Sequence, residues 1–110
     1  YTFERTGTLI DPHTAVGKHV MDDMRPGGRP RILLATASPY KFPADCLAAL
    51  GRDASGMSGF AAMDALEDIT GTVAPGSLSA LRSMERLHDD VCNIDAMAEF
   101  VDAVSKRAFA

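Results

Sequence analysis

Tryptophan is absent from this 110-residue chain, and tyrosine and phenylalanine number only two and five. A core built from such an inventory must be filled by aliphatic side chains and by the six methionines. Cysteine is as scarce. Cys46 and Cys92 are too few and too separated for a disulfide framework or a zinc site. A basic excess is also lacking: 11 Lys and Arg face 15 Asp and Glu, a net charge of −4. With no basic stripe along the chain, a nucleic-acid partner or an anionic membrane surface is not expected. No apolar run approaches the length of a membrane span. Residues 1–10 lack the basic start and apolar middle of a signal peptide. Missing as well are a Gly-rich phosphate loop, a Ser-His-Asp set and any paired-Cys motif. Gly27-Gly28 has no helical pattern behind it. Asp89-Asp90 has no third ligand spaced to join it and reads as a solvated turn rather than a metal site.

What is present is a 46% hydrophobic chain, enough for one compact domain and not for two. Gly7–Ile10 is compatible with a short strand. Asp11-Pro12 is a helix start: the carboxylate accepts backbone N–H groups at the cap, and proline sits where no N–H is needed. Val16, Val20 and Met24 then recur every four residues and give one apolar stripe. Arg25-Pro26-Gly27-Gly28 is expected to end this helix in a loop, with Arg25, Arg29 and Arg31 as its solvated charges. Arg31-Ile32-Leu33-Leu34-Ala35-Thr36 is apolar at successive rather than alternate positions. That pattern suits a strand covered on both faces, as in a parallel sheet. The carboxyl end of such a strand, here Thr36 and Ser38, is where an open α/β sheet offers polar groups to a ligand.

Pro43 opens another helix, with Cys46, Leu47 and Leu50 inward and Gly51 as its cap. Arg52–Gly59 reads as a loop. Phe60, Met63, Leu66 and Ile69 mark a helix ending at Gly71. Pro75-Gly76-Ser77 starts another, carrying Leu78, Leu81, Met84 and Leu87. Asn93 is expected to cap a last helix whose Ile94, Met97, Val101 and Val104 form a narrow seam, with Lys106 and Arg107 at its C-terminal dipole. The fold class expected is α/β: the C-terminal part of an open, helix-flanked sheet, with one or two strands here, followed by a mainly helical tail. The division expected is 1–51, the end of an α/β domain, and 52–110, a helical extension packed on it.

Two strings, Asp11-Pro12-His13-Thr14-Ala15-Val16-Gly17 and Thr36-Ala37-Ser38-Pro39-Tyr40-Lys41-Phe42, together resemble the C-terminal end of the threonine synthases. These are pyridoxal-phosphate enzymes of the tryptophan-synthase-β-like group. The likeness is clear over 7–50 and extends to 51–110 only through the order of elements. It implies an enzyme that converts O-phosphohomoserine and water to L-threonine and phosphate in the cytoplasm, with pyridoxal 5'-phosphate as cofactor. Thr36 would meet the cofactor's pyridine nitrogen; the alternative is a hydroxyl satisfying a nearby backbone group. Ser38 stands where the family usually carries His, so it is either a second cofactor contact or a turn residue before Pro39. His13 and Thr14, at the start of a helix, are candidates for the substrate's phosphate, against a structural histidine packed under the strand ends.

The resemblance also places the Schiff-base lysine upstream, after a Phe and before an Asp, a setting that Lys18, Lys41 and Lys106 lack. With Tyr1 rather than Met at its start, the chain reads as a C-terminal segment that is inactive alone and partnered by the remainder of its own polypeptide. A dehydratase-like lyase of the same group and a non-catalytic α/β interaction domain are the competing readings.

Overall fold

The computed structural model describes residues 1–24 and 27–108. Arg25 and Pro26, half of the loop expected after the first long helix, lie outside them. The chain is helical: α1 (Thr2–Thr6), α2 (Pro12–Asp23), α3 (Pro43–Ala49), α4 (Gly59–Thr70), α5 (Gly76–Ala80) and α6 (Met97–Ala108). Short 3-10 turns lie at Pro39–Lys41, Leu81–Ser83 and Ile94–Ala96.

Among the described residues there is no strand, so the expected α/β sheet is overturned. Arg31–Thr36 carries no regular structure, and Ile32 and Leu34 are 84% and 76% exposed. A strand satisfies its backbone through neighbours about 4.8 Å away, and none is present to pair with this run. Leu33 alone finds cover, against Gly17 of α2. The second expected strand fails for a local reason. Gly7 takes φ 68° and closes α1, donating its N–H to Phe3 O at 2.8 Å.

The core is the α3–α4 pair. Tyr40, Cys46, Leu47, Ala62, Met63, Leu66 and Ala74 are buried together, with Leu9, Leu50 and Leu78 packed on them. Cys46 and Leu47 fall on the inner face of α3, as the spacing predicts. Gly51 (φ 74°) ends that helix in a Schellman motif: Arg52 N–H donates to Leu47 O at 2.9 Å and Gly51 N–H to Ala48 O at 3.0 Å. Ser58 caps α4 through Ala61 N–H at 3.2 Å, and Gly71 (φ 65°) closes it. Leaving α4, the chain is pinned twice. Glu67 accepts the Ala74 N–H at 2.6 Å, and the Tyr40 hydroxyl donates to Thr72 O at 3.0 Å. Full burial of Leu47 and Leu66 contributes about 1.5–3 kcal/mol each.

Around this unit the chain is spread out. The radius of gyration is 18.9 Å, where a compact chain of this length has about 13 Å. The helix expected from Pro75 to Leu87 is shorter than its apolar pattern. After α5 and one 3-10 turn, Met84 adopts extended backbone and Leu87 is 76% exposed. The helical tail forms, but Ile94, Met97 and Val101 of its seam face outward, while Val104 of the seam and its neighbour Phe100 are half-buried. Asn93 makes no side-chain cap bond there. No described helix is long and apolar enough to cross a membrane.

Candidate functional site

The start of α2 is built around one buried carboxylate. Asp11 Oδ1 accepts the backbone N–H of His13 at 3.0 Å and of Thr14 at 3.3 Å, and Oδ2 accepts the Thr14 hydroxyl. Burial alone would raise the Asp11 pKa. The Thr14 hydroxyl and the N–H groups of Thr14 and His13 outweigh it and hold the carboxyl below its ordinary value. Thr14 is itself buried, and both its donors are spent on Asp11. His13 is placed differently. Its side chain is 73% exposed, its Nδ1 lies 3.2 Å from Asp11 Oδ1, and its ring meets Phe42 edge-on at 5.0 Å between centroids.

That ring contact joins the two sequence strings. Further along α2, Gly17 lies so close to Leu33 that an added Cβ would stand 2.9 Å from Leu33 Cδ1, so glycine is what lets the segment approach the helix. The Arg31 guanidinium caps the far end of α2, donating to the carbonyls of Met21 and Met24. Arg31 is therefore more than the solvated loop charge its setting predicted. The segment from Arg31 to Phe42 is held against α2 at three points along the helix.

Thr36 and Ser38 lie on that segment. Thr36 is exposed and makes no side-chain hydrogen bond among the described residues. Ser38 is half-buried and caps the 3-10 turn, its Oγ accepting the Tyr40 N–H at 3.3 Å. An accepting Ser38 oxygen leaves its own proton free to donate, so both hydroxyls retain a donor of the kind a ring nitrogen needs. The chemistry of these residues therefore fits a pyridine-type cofactor. Lys41 is exposed on the same turn, whereas Lys18 pairs with Asp22 and Lys106 with Asp102. Asp89 and Asp90 pair with Arg86 and Arg107, at 2.8 and 3.9 Å. Among the described residues no group of three metal-ligating side chains is found.

Burial pushes the Cys46 thiol pKa up, helped by the nearby Asp11 and Asp45 charges, which suits a packing residue and not a nucleophile. An apolar hollow of about 340 Å³ opens between α1, α2 and α3, lined by Phe3, Leu9, Pro12, Ala15, Cys46 and Leu50. It includes neither His13 nor Thr36.

Two residues that position this site lie in the resembling run, but no role for them was readable in the sequence. Phe42 bears on His13 only through the tertiary contact. Tyr40 anchors the turn to Thr72 across 32 positions. The aromatic residues around Pro39 are the one sequence hint at either.

No curated protein and no solved structure matches the chain. A family model described as threonine synthase, C-terminal, matches residues 14–104. The match contains Thr36 and Ser38 and begins at Thr14, immediately after His13. It covers most of the chain, beyond the reach of the two short strings. The chain belongs to the threonine synthase C-terminal family.

Proposed function

We propose that this chain contributes the Thr36 side of the cofactor site, and the His13 side of the substrate site, of a pyridoxal-phosphate-dependent threonine synthase. That enzyme converts O-phosphohomoserine and water to L-threonine and phosphate. The observation that carries the reading is the family match over residues 14–104, which takes in the Thr36–Phe42 run. The contact between His13 and Phe42 supports it, because it brings the substrate candidate to the segment that bears the cofactor candidate.

The bound cofactor supplies an electron sink for loss of phosphate and addition of water. Thr36 donates one hydrogen bond to its ring nitrogen and stays neutral. As a neutral donor, Thr36 holds the ring nitrogen without placing a charge opposite it, where a carboxylate would favour the protonated ring. Ser38 supports the turn and has a second donor to offer. His13, at the exposed end of α2, meets the substrate's phosphate. Thr14 serves it indirectly by holding Asp11. None of Lys18, Lys41 and Lys106 is assigned the covalent role, and the 110 residues alone are expected to turn over nothing.

Thr36→Ala in the enzyme that contains this chain tests the assignment. Loss of the donor should weaken cofactor retention by about 1–3 kcal/mol, seen as faster loss of the cofactor's visible absorbance on dialysis, while Thr36→Ser should be mild. Unchanged retention and turnover in Thr36→Ala would remove Thr36 from the site.

A further inference from the structure

Asp11 and His13 are unequal neighbours. Asp11 is 1% exposed and His13 is 73% exposed, yet Nδ1 of the imidazole meets Oδ1 of the carboxylate at 3.2 Å. Three other bonds hold that carboxylate: the N–H groups of His13 and Thr14 and the Thr14 hydroxyl. It cannot swing away from the ring without abandoning the cap of a 12-residue helix. An ionised carboxylate only accepts, so Nδ1 is the donor in this contact and carries the proton. The donors around Asp11 keep it ionised by holding its pKa below the ordinary value against the effect of burial. The ring also meets Phe42, with 5.0 Å between centroids and 61° between the ring planes. With Nδ1 given to Asp11, Nε2 is the one polar atom the exposed ring has left to offer.

We propose that Asp11 is a positioning residue that locks His13 in the Nδ1–H tautomer, so that Nε2 is the atom presented to the phosphate of a phosphomonoester substrate. This rests on the reading above in which His13 meets that phosphate. A monoanionic phosphate ester can pass its proton to Nε2 and then accept an Nε2–H···O bond as the dianion. Asp11 stabilises the imidazolium so formed. The helix terminus does not make this contact itself, because the N–H groups of His13 and Thr14 are already given to Asp11. A buried carboxylate that fixes the tautomer of an exposed imidazole is the same physical device that orients histidine ligands and bases elsewhere.

Nitrogen-15 spectra of the His13 ring in the 110-residue chain, taken where the imidazole is neutral, decide the lock. The expected result is a protonated Nδ1 and an unprotonated Nε2, the reverse of the form a free imidazole prefers. Asp11→Ser keeps a good helix cap but is too short to hold the ring as well, so the spectrum should revert to the Nε2–H form with helix content retained. Asp11→Asn keeps both cap and acceptor and should restore the Nδ1–H form. In the enzyme that contains this chain, Asp11→Ser should raise KM for the phosphorylated substrate several-fold more than it lowers kcat. A wild-type ring in the Nε2–H form, or an Nδ1–H form that persists in Asp11→Ser, overturns the lock. A locked ring together with an unchanged KM in His13→Ala overturns the phosphate contact instead, and with it the reading of His13 given above.

Discussion

Helices α2, α4 and α6 have 12 residues each and each carries an apolar stripe, yet only α4 lies in the core. It buries Ala62, Met63 and Leu66, whereas α6 buries nothing and α2 buries only Thr14. On α2 the stripe residues Val16, Val20 and Met24 are 66%, 55% and 58% exposed. The difference does not come from periodicity, which all three share. It comes from what stands opposite. Helix α3 follows a 3-10 turn locked by Tyr40 and presents Cys46 and Leu47 to α4, while on α6 no residue is buried and only Phe100 and Val104 are half-covered. Apolar spacing selects a helix and names its sticky face; a partner surface decides whether that face contributes to stability.

The comparison can be broken most directly at Leu66. Its side chain is fully buried between α3 and α4, so Leu66→Ala should cost about 2–5 kcal/mol, seen as an earlier urea midpoint by circular dichroism. A loss under 1 kcal/mol would mean that the α3–α4 pair does not hold the chain together.

A smaller effect is expected at Asp11, the one ionisable side chain among the buried polar residues. Asp11→Ala should cost about 0.5–2 kcal/mol, the range of a lost cap. The sign of its pH dependence follows from a depressed folded pKa. The Asp11 contribution is full above the ordinary value of 3.8 and is lost as pH falls through the lower folded value. Wild type and Asp11→Ala should therefore converge in stability in strong acid and separate above about pH 4. A gap that stays constant down to pH 2 would show that the carboxylate's charge plays no part.

The least effect is expected at Val101, which is 56% exposed on α6. Val101→Asp should move the stability of the 110-residue chain by no more than about 0.5 kcal/mol. A fall of several kcal/mol would place a covering surface on α6 and abolish the contrast with α4. The same substitution in the larger enzyme sharpens the contrast: a loss confined to that setting would identify α6 as a helix whose seam waits for a surface outside these residues.

Much of the local structure was legible because it rests on signals a few residues long. Asp11-Pro12 starts α2, Gly71 ends α4, and Gly51 stops α3, each through bonds to near neighbours. The family was legible too, through the strings that contain His13 and Thr36. Reading Gly7 as the start of a strand, where it closes α1, was a local error; the two larger misreadings share another cause. Ile32-Leu33-Leu34 has the composition of a buried strand, but pairing is a property of two segments and the run supplies one. Leu81, Met84 and Leu87 continue a helical period, yet the chain leaves the helix after Ser83 because nothing packs on the stripe.

By itself, then, the sequence determined where α2 begins and where α3 and α4 end, which faces of the helices are apolar and which family the hydroxyl-bearing run belongs to. Capping bonds, glycine conformations and side-chain spacing all act within a turn or two of the chain. Only the tertiary structure decided that α4 and not α6 is buried, that Arg31–Thr36 stays unpaired, and that His13 rests on Phe42 with Nδ1 held by Asp11. Those outcomes depend on surfaces brought together from distant positions, and a short-range pattern carries no record of which surface will arrive.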